Sequence, residues 1–360
     1  MSTPELEWGW GTAYDLFMSL VVLQKPAEFG VRGAWAAGVR ARLSAQDRDT
    51  LEKSQLLWAV PFHWIYTLPE PTDAAAALWA LGQVPASERV RLLAASPESS
   101  ADTMEILGGV ATRQAWTERD LEALQITFQN SHKHGAGKKA FSVEKVTKIL
   151  DLWAGAEEYG EQYLGALRSY QEVFFAEEER RIRPALKAAL ERAQELAGQL
   201  SLLDLLEELT QGVRLDTPPE GDTLMLVPSY WSTPLVLMGM ISKDRRVWLF
   251  GARPADASLV PGEVVPETLL RTLKALSDPT RLRIMRDLSQ ESLSPARIAR
   301  RLRLRAPTVT HHLKILRLAG LVQMTLADEK QPRSYAARQE AVSAACDSLN
   351  TFLGTGGNGS

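Results

Sequence analysis

Apolar residues recur at mixed spacings of three and four over residues 12–23, 34–43, 73–81 and 118–128, the periodicity of helices that bury one stripe. The first 155 residues therefore read as a helical bundle. Residues 157–211 continue the helical pattern, but Pro184 has no amide donor and its ring crowds the preceding turn, which predicts a kink or break there. In the same stretch Glu177 precedes Arg181, and Glu179 precedes Arg183, by four residues. Such pairs stabilise a helix by about 0.2–0.5 kcal/mol each, and a solvated helix face is the simplest role for this charge run. From Asp216 the texture changes. TPPEGD is a turn cluster and residues 223–227 and 246–250 are β-rich, so a small sheet at about 223–250 closes the N-terminal region.

Residues 251–266, GARPADASLVPGEVVP, combine three prolines with two glycines and follow neither helical nor strand periodicity. They read as a linker between a region of residues 1–250 and a domain of residues 267–353. Residues 354–360 are low in complexity and predict a disordered tail. Beyond the linker, Leu269, Leu270, Leu273 and Leu276 form one helical stripe, ended by Ser277. Asp278-Pro279 and Ser294-Pro295 each pair an N-cap residue with a proline suited to a first helical turn. The helices they open present Leu282, Met285 and Leu288, then Ile298, Ala299 and Leu302. Arg303-Leu304-Arg305-Ala306 makes a tight turn, and a further helix runs from Pro307 to about Leu318. Two short helices joined by such a turn are a helix-turn-helix.

On the last of these helices Val309, Leu313 and Leu316 face the core, while Thr308, Thr310, His311, Lys314 and Arg317 are hydrogen-bond donors on the other side. A helix of this kind fits the major groove of duplex DNA. Short hydroxyl and imidazole groups near its start reach base edges, and Lys314 and Arg317, with Arg303 and Arg305 of the turn, meet phosphates. Gly320 suits the left-handed residue that ends a helix. Residues 321–326 and 333–337 then alternate as two strands of a wing whose Lys330 and Arg333 can touch the flanking backbone or minor groove. The fold class is mainly α: a helical N-terminal region with a small sheet, then a winged helix-turn-helix.

Charge sharpens the division. Residues 262–338 hold 15 Lys and Arg against 7 Asp and Glu, a surplus of eight positive charges, which leaves −11 for the rest of a chain whose net charge is −3. A basic module on an acidic body implies one region that meets a polyanion and one that does not. No apolar run approaches the roughly 20 residues that span a bilayer, so no membrane segment is expected. The single cysteine, Cys346, cannot form an internal disulfide or a thiolate cluster, which fits a reducing cytoplasm.

The strings LKALSDPTRLRIMRDL and SPARIARRLRLRAPTVTHHLKILRLAGLV resemble the ArsR/SmtB-type winged-helix regulators over about residues 269–352. The resemblance implies a homodimeric repressor that releases its operator when an effector binds, with Thr308, Thr310, His311 and Lys314 on the recognition helix. It also has limits. Ser294 and Ala296 stand where arsenic-type sensors carry a cysteine pair, and residues 339–353 contain no histidine for the zinc-type site. Neither familiar metal site is present, so the expected effector is a small organic molecule sensed by the N-terminal region. Arg303 and Arg305 replace the small residues usual in the turn, and the wing turn lacks its common glycine. Val342, Ala345, Leu349 and Phe352 make an apolar stripe on the C-terminal helix that has no partner inside a winged helix, which predicts a homodimer.

Other signals are weaker. His311 and His312 are adjacent, and consecutive helical positions point about 100° apart, which suits one histidine on DNA and one partly packed better than shared chelation. His132 and His134 flank Lys133 in SHKHGAGKKA, where no cysteine or carboxylate completes a metal site, and that stretch reads as a solvated basic loop. Its Gly137-Lys138 lacks the flanking residues of a phosphate-binding loop. All ten tryptophans precede the linker; they serve the core, with a minority open to an effector pocket. Hydrolase, metalloprotease and dinucleotide-binding motifs are lacking, so neither catalytic residues nor a cofactor are implied. Two rivals remain to a DNA-binding regulator: an enzyme or interaction domain fused to a DNA-binding module, and a protein that compacts DNA without sequence preference.

Overall fold

A computed structural model describes residues 3–133, 142–254, 257, 265–326 and 333–353. The body opens with strand β1 (Glu5–Trp8), followed by helices α1 (Thr12–Gln24), α2 (Gly33–Ala41), α3 (Ala45–Ser54), α4 (Phe62–Ile65), α5 (Ala74–Gln83) and α6 (Ala86–Ala94). Helices α7 (Ala101–Arg113), α8 (Glu118–Lys133), α9 (Val143–Ala154) and α10 (Ala156–Tyr170) come next. A π-helical turn at Gln171–Phe175 leads into α11 (Ala176–Ala197) and α12 (Leu202–Leu209). Strands β2 (Val213–Leu215), β3 (Thr223–Ser229), β4 (Leu237–Met240) and β5 (Arg245–Gly251) complete it. The protein is mainly α with small sheets, as its periodicities predict.

The body's sheet has the order β1-β3-β5-β4, with β1, β3 and β5 parallel and β4 antiparallel at the edge. Its strands alternate between two apolar layers. Leu224, Leu226, Trp248 and Phe250 pack with Ala193, Leu205, Leu206 and Leu209 of α11 and α12. Met225, Val227, Val247 and Leu249 face the larger core that surrounds α1. Because both faces are covered, these strands are continuous apolar runs, as parallel strands require. Helix α1 lies inside, with every residue from Thr12 to Leu23 buried. Its one carboxylate, Asp15, is fully buried and accepts hydrogen bonds from Ser229 Oγ at 2.8 Å, Trp231 N at 2.9 Å and Tyr230 N at 3.2 Å. These bonds pin the loop that leaves β3. Burial nevertheless pushes the Asp15 carboxyl up to about 6, against the lowering effect of the three donors.

Several expectations are revised here. Helix α11 runs through Pro184 without a break. Pro184 is on the exposed face, where water can satisfy the carbonyl it leaves unbonded, and the irregular backbone lies upstream at Gln171–Phe175. The charge run is not simply a solvated face. Arg183 does pair with Glu179, at 3.4 Å, but Arg181 pairs with the buried Glu178 rather than with Glu177 and donates to Tyr230 Oη. Helix α8 extends to Lys133, so His132 sits on a helix end rather than in a loop, and His134 lies outside the described residues. The expected linker begins too early: Gly251 closes β5, and Ala252 and Arg253 are buried. The expected tail at 354–360 is outside the described residues.

Five further helices and a hairpin follow: α13 (Glu267–Leu276), α14 (Pro279–Leu288), α15 (Pro295–Leu302), α16 (Ala306–Leu318), strands β6 (Val322–Leu326) and β7 (Ser334–Ala337), and α17 (Gln339–Phe352). β6 and β7 are antiparallel, and Leu293 bridges to Tyr335, which ties the wing to the loop between α14 and α15. The third strand of this sheet comes from the body. β2 lies parallel to β6, with Val213 opposite Met324 and Leu215 opposite Leu326, so the edge of the wing is paired rather than open. Arg338 Nη1 reinforces the union by donating to Gln211 O and Gly320 O. The winged helix is therefore built into the body, not carried beside it on a tether.

Candidate nucleic-acid interface

Local sequence explains why these short helices form. Asp278 accepts the Arg281 amide at 2.9 Å and Ser294 accepts the Arg297 amide at 3.4 Å, each just before a proline in the first turn. The Arg281 amide holds the Asp278 carboxyl below the usual range. The turn between α15 and α16 passes through Arg303, which takes the left-handed conformation at φ 55° and ψ 45°. An L-residue there costs about 1–2 kcal/mol relative to glycine. Leu304 N then bonds Ala299 O at 2.9 Å and directs the chain into α16.

Val309, Leu313 and Leu316 anchor α16 to a core that includes Ile284, Leu288, Ile298 and Leu302. The opposite side is open: Arg303, Arg305, Thr308, Thr310, His311 and Lys314 are all exposed. They form a continuous band of donors along the turn and the first two turns of the helix. The Thr310 hydroxyl already donates to Ala306 O at 3.1 Å, so in the free protein it presents its lone pairs outward. His312 differs from its neighbour. It is half-buried, and its Nδ1 has no hydrogen-bond partner among the described residues. Burial lowers its pKa, with Asp278 opposing and Arg281 and His311 reinforcing the shift. The two rings are 6.1 Å apart and tilted, without a shared focus for an ion. No group of three His, Cys, Asp or Glu among the described residues could hold a metal.

The structure places Arg317 differently from its expected role. Its side chain folds back over the wing, with Nη1 3.6 Å from Met324 Sδ, and burial is the first cause of its lowered pKa. It bridges the recognition helix and the wing and is half-buried, unlike the exposed residues of the band. Arg333 is exposed at the start of β7, and Lys330 lies outside the described residues. Much of the basic surplus is also committed elsewhere. Arg297 and Arg301 both pair with Glu291, and Arg271 points away from the recognition face, donating to Gly30 O of the body. Arg271 and Arg338 are junction residues that entered the sequence reading only as charge, because no local pattern distinguishes an arginine that crosses a domain boundary.

Helix α17 packs on α13. Its Val342, Ala345 and Leu349 are half-buried, and Phe352 remains 42% exposed. Leu273 of α13 and Leu282 of α14 are exposed as well. The apolar stripe is thus covered on one side only within a single chain.

The family model of a helix-turn-helix domain matches residues 276–325, a span that runs from the end of α13 to the end of β6. The chain carries a DNA-binding domain of this class. No curated protein and no solved structure matches the chain. No described helix is long and apolar enough to cross a membrane.

Proposed function

We propose that the protein is a homodimeric, sequence-specific transcription regulator of the ArsR type, a cytoplasmic repressor that leaves its operator when a small organic effector engages residues 1–250. The observation that carries this reading is the exposed band of Arg303, Arg305, Thr308, Thr310, His311 and Lys314 set over the buried anchors Val309, Leu313 and Leu316. Hydroxyl and imidazole groups near the start of a helix are placed to read base edges, and the flanking cations to hold phosphates. Dimerisation through Val342, Ala345, Leu349 and Phe352 would give two such helices for half-sites about one helical turn apart. The exposed Leu273 and Leu282 extend the same apolar surface.

The body acts as a sensor and not as an enzyme. A groove of about 880 Å³ in it is lined in part by side chains that already have partners: Asp49 pairs with Lys53, and Asp151 accepts the Trp116 indole N–H at 2.7 Å. Five of the ten tryptophans, Trp58, Trp64, Trp153, Trp231 and Trp248, are buried and serve as packing, whereas Trp79 is exposed. Genome-wide mapping of DNA bound by the full chain tests the reading. A small set of sites sharing a palindromic element is the expected result, with sedimentation showing a dimer. Uniform coverage of the genome, or equal affinity for operator and random duplex at physiological salt, would refute sequence-specific control.

A further inference from the structure

Where the body meets the winged helix, one buried guanidinium, Arg253, and two half-buried ones, Arg181 and Arg271, lie near the buried carboxylates Glu178 and Glu267. Arg181 is matched by Glu178, with which it forms a close ion pair. Arg271 lies 3.3 Å from Glu267 and donates to Gly30 O and Leu318 O. Arg253 has no carboxylate in ion-pair contact among the described residues. It is 5% exposed, its Nη2 donates to Thr233 O at 3.0 Å, and its backbone amide donates to Thr233 Oγ1 at 3.2 Å. Its Nη1 has no hydrogen-bond partner among the described residues, and neither has Nε of Arg271. Burial, then the neighbouring Arg271, lowers the pKa of Arg253 to about 10, which leaves it cationic at neutral pH. A buried positive charge in excess of its partners is costly, by several kcal/mol in order of magnitude, unless something else neutralises it.

The structure provides space for that. A cavity of about 120 Å³ is lined by Arg253, Arg271, Thr233, Gln211, Leu318 and Gly320. That is room on the order of four water molecules, enough for an anion of four or five heavy atoms. The position also has a topological logic. Arg253 follows the carboxyl end of β5, and Thr233 lies in the loop after β3, so the cavity opens just beyond the carboxyl ends of two adjacent parallel strands, where open sheets with parallel strands hold their ligands. On its other side are the last residue and the terminating glycine of the recognition helix region, Leu318 and Gly320.

The geometry points to an anion-binding site at this junction, in which the guanidiniums of Arg253 and Arg271, both lining the cavity, hold a small carboxylate or phosphate. Planar guanidinium donors suit either anion. Because Arg271 also holds Leu318 O and Gly30 O, an anion that engages it adjusts how the C-terminal end of α16 is fastened to the body. This would place the effector, or its acidic group, at the arginine junction rather than among the tryptophans. The link to DNA rests on the regulator reading above; the binding site itself does not.

The test uses the full chain and two probes, inorganic phosphate and acetate, titrated calorimetrically at constant ionic strength without DNA. One of them should bind saturably at one site per chain, and which one does so names the anion class. Arg253→Gln should weaken that binding about tenfold or more, as loss of a charge-assisted hydrogen bond implies. Ala319→Leu, which fills the cavity while leaving both arginines in the sequence, should do the same and decides the matter if Arg253→Gln does not fold. Lys187→Gln, on an exposed helix face, removes the same charge and should leave binding unchanged. Saturable binding by neither probe, or equal binding by wild type and both cavity variants, would overturn the site. A separate DNA titration then reads the coupling. A shift of operator affinity by the bound probe, absent in the cavity variants, supports it, and binding without any shift overturns the coupling alone. Failure of the chain to bind DNA at all would sink the regulator reading while leaving the calorimetric result intact.

Discussion

The winged helix keeps aliphatic side chains such as Ile298, Val309, Leu313 and Leu316 inside, beside the buried carboxylates Glu267 and Asp287, and its hydroxyls and guanidiniums on the recognition face outside, whereas the body buries Asp15, Glu178 and Arg253 beneath its sheet and helices. The first arrangement leaves donors ready to meet a polyanion with little rearrangement. The second stores ionisable groups where burial makes each charge expensive and each partner consequential. The same molecule thus separates a surface of exposed donors from an interior whose charges are held by specific partners. The two are joined by β2 pairing with β6 and by Arg271 and Arg338, so neither is mechanically independent of the other.

The largest effect should come from breaking that union. Gly212, at φ 105°, precedes β2, and a Cβ there would stand 3.0 Å from Arg338 Cδ and 3.2 Å from Gln323 Cα. Gly212→Val adds backbone strain to overpacking and should destabilise the protein by about 4 kcal/mol, with one melting transition dividing into two. A single undisturbed transition in calorimetry would show that the contact at Gly212 is not what couples the body to the winged helix.

Next in size is the buried charge of the body. Asp15 carries a carboxyl raised to about 6, above its unfolded value, so the folded state binds the proton more tightly. Its contribution is present at low pH and is lost as pH rises from about 4 through 6, by about 3 kcal/mol in total. The stability difference between wild type and Asp15→Asn, followed by denaturant melts across that window, should move in that direction. A flat difference would mean that the three donors fully offset burial.

On the recognition face the expected effects are smaller and differ in kind. His311→Ala should cost about 1–3 kcal/mol on operator DNA and relax one base position, whereas Lys314→Ala should weaken operator and random DNA alike and flatten the salt slope by about 1 unit. The reverse pattern in anisotropy titrations would mean that α16 is rotated from the orientation described. Arg303→Gly should separate folding from binding. Relief of the left-handed strain should stabilise the protein by about 1 kcal/mol, while loss of an exposed cation lowers DNA affinity. Smallest of all should be the response to metals. With Cys346 as the single thiol, micromolar zinc, cadmium or arsenite should leave operator affinity within about twofold, and a tenfold loss would reveal a thiolate or imidazole site that the residues do not suggest.

The winged helix was legible because its determinants are local. Cap and proline adjoin at Asp278-Pro279 and Ser294-Pro295, the stripe at Val309, Leu313 and Leu316 repeats within one helix, and Gly320 takes the positive φ its position suggested. In the body, the helices α1, α5 and α8 announced themselves by period, and the strands β3 and β5 by β-rich composition. What escaped was non-local. β1 and β2 have only four and three residues, too few to show a period, and become strands because β3 and β6 offer them an edge. Glu178 and Arg181 occupy a helix face that looks solvated until Tyr230 and the sheet are packed against it. Arg317 belongs by spacing to the exposed side of α16, yet the wing draws it inward over Met324. Sequence alone determined that the chain is mainly helical, which helix of the winged helix carries exposed donors and where the charge lies, since each depends on neighbours within a few residues. Only the tertiary structure decided that the winged helix is fused to its body and that Arg253 and Arg271 share one cavity, because pairing a strand edge and stranding a charge away from water are both set by what the rest of the chain brings alongside.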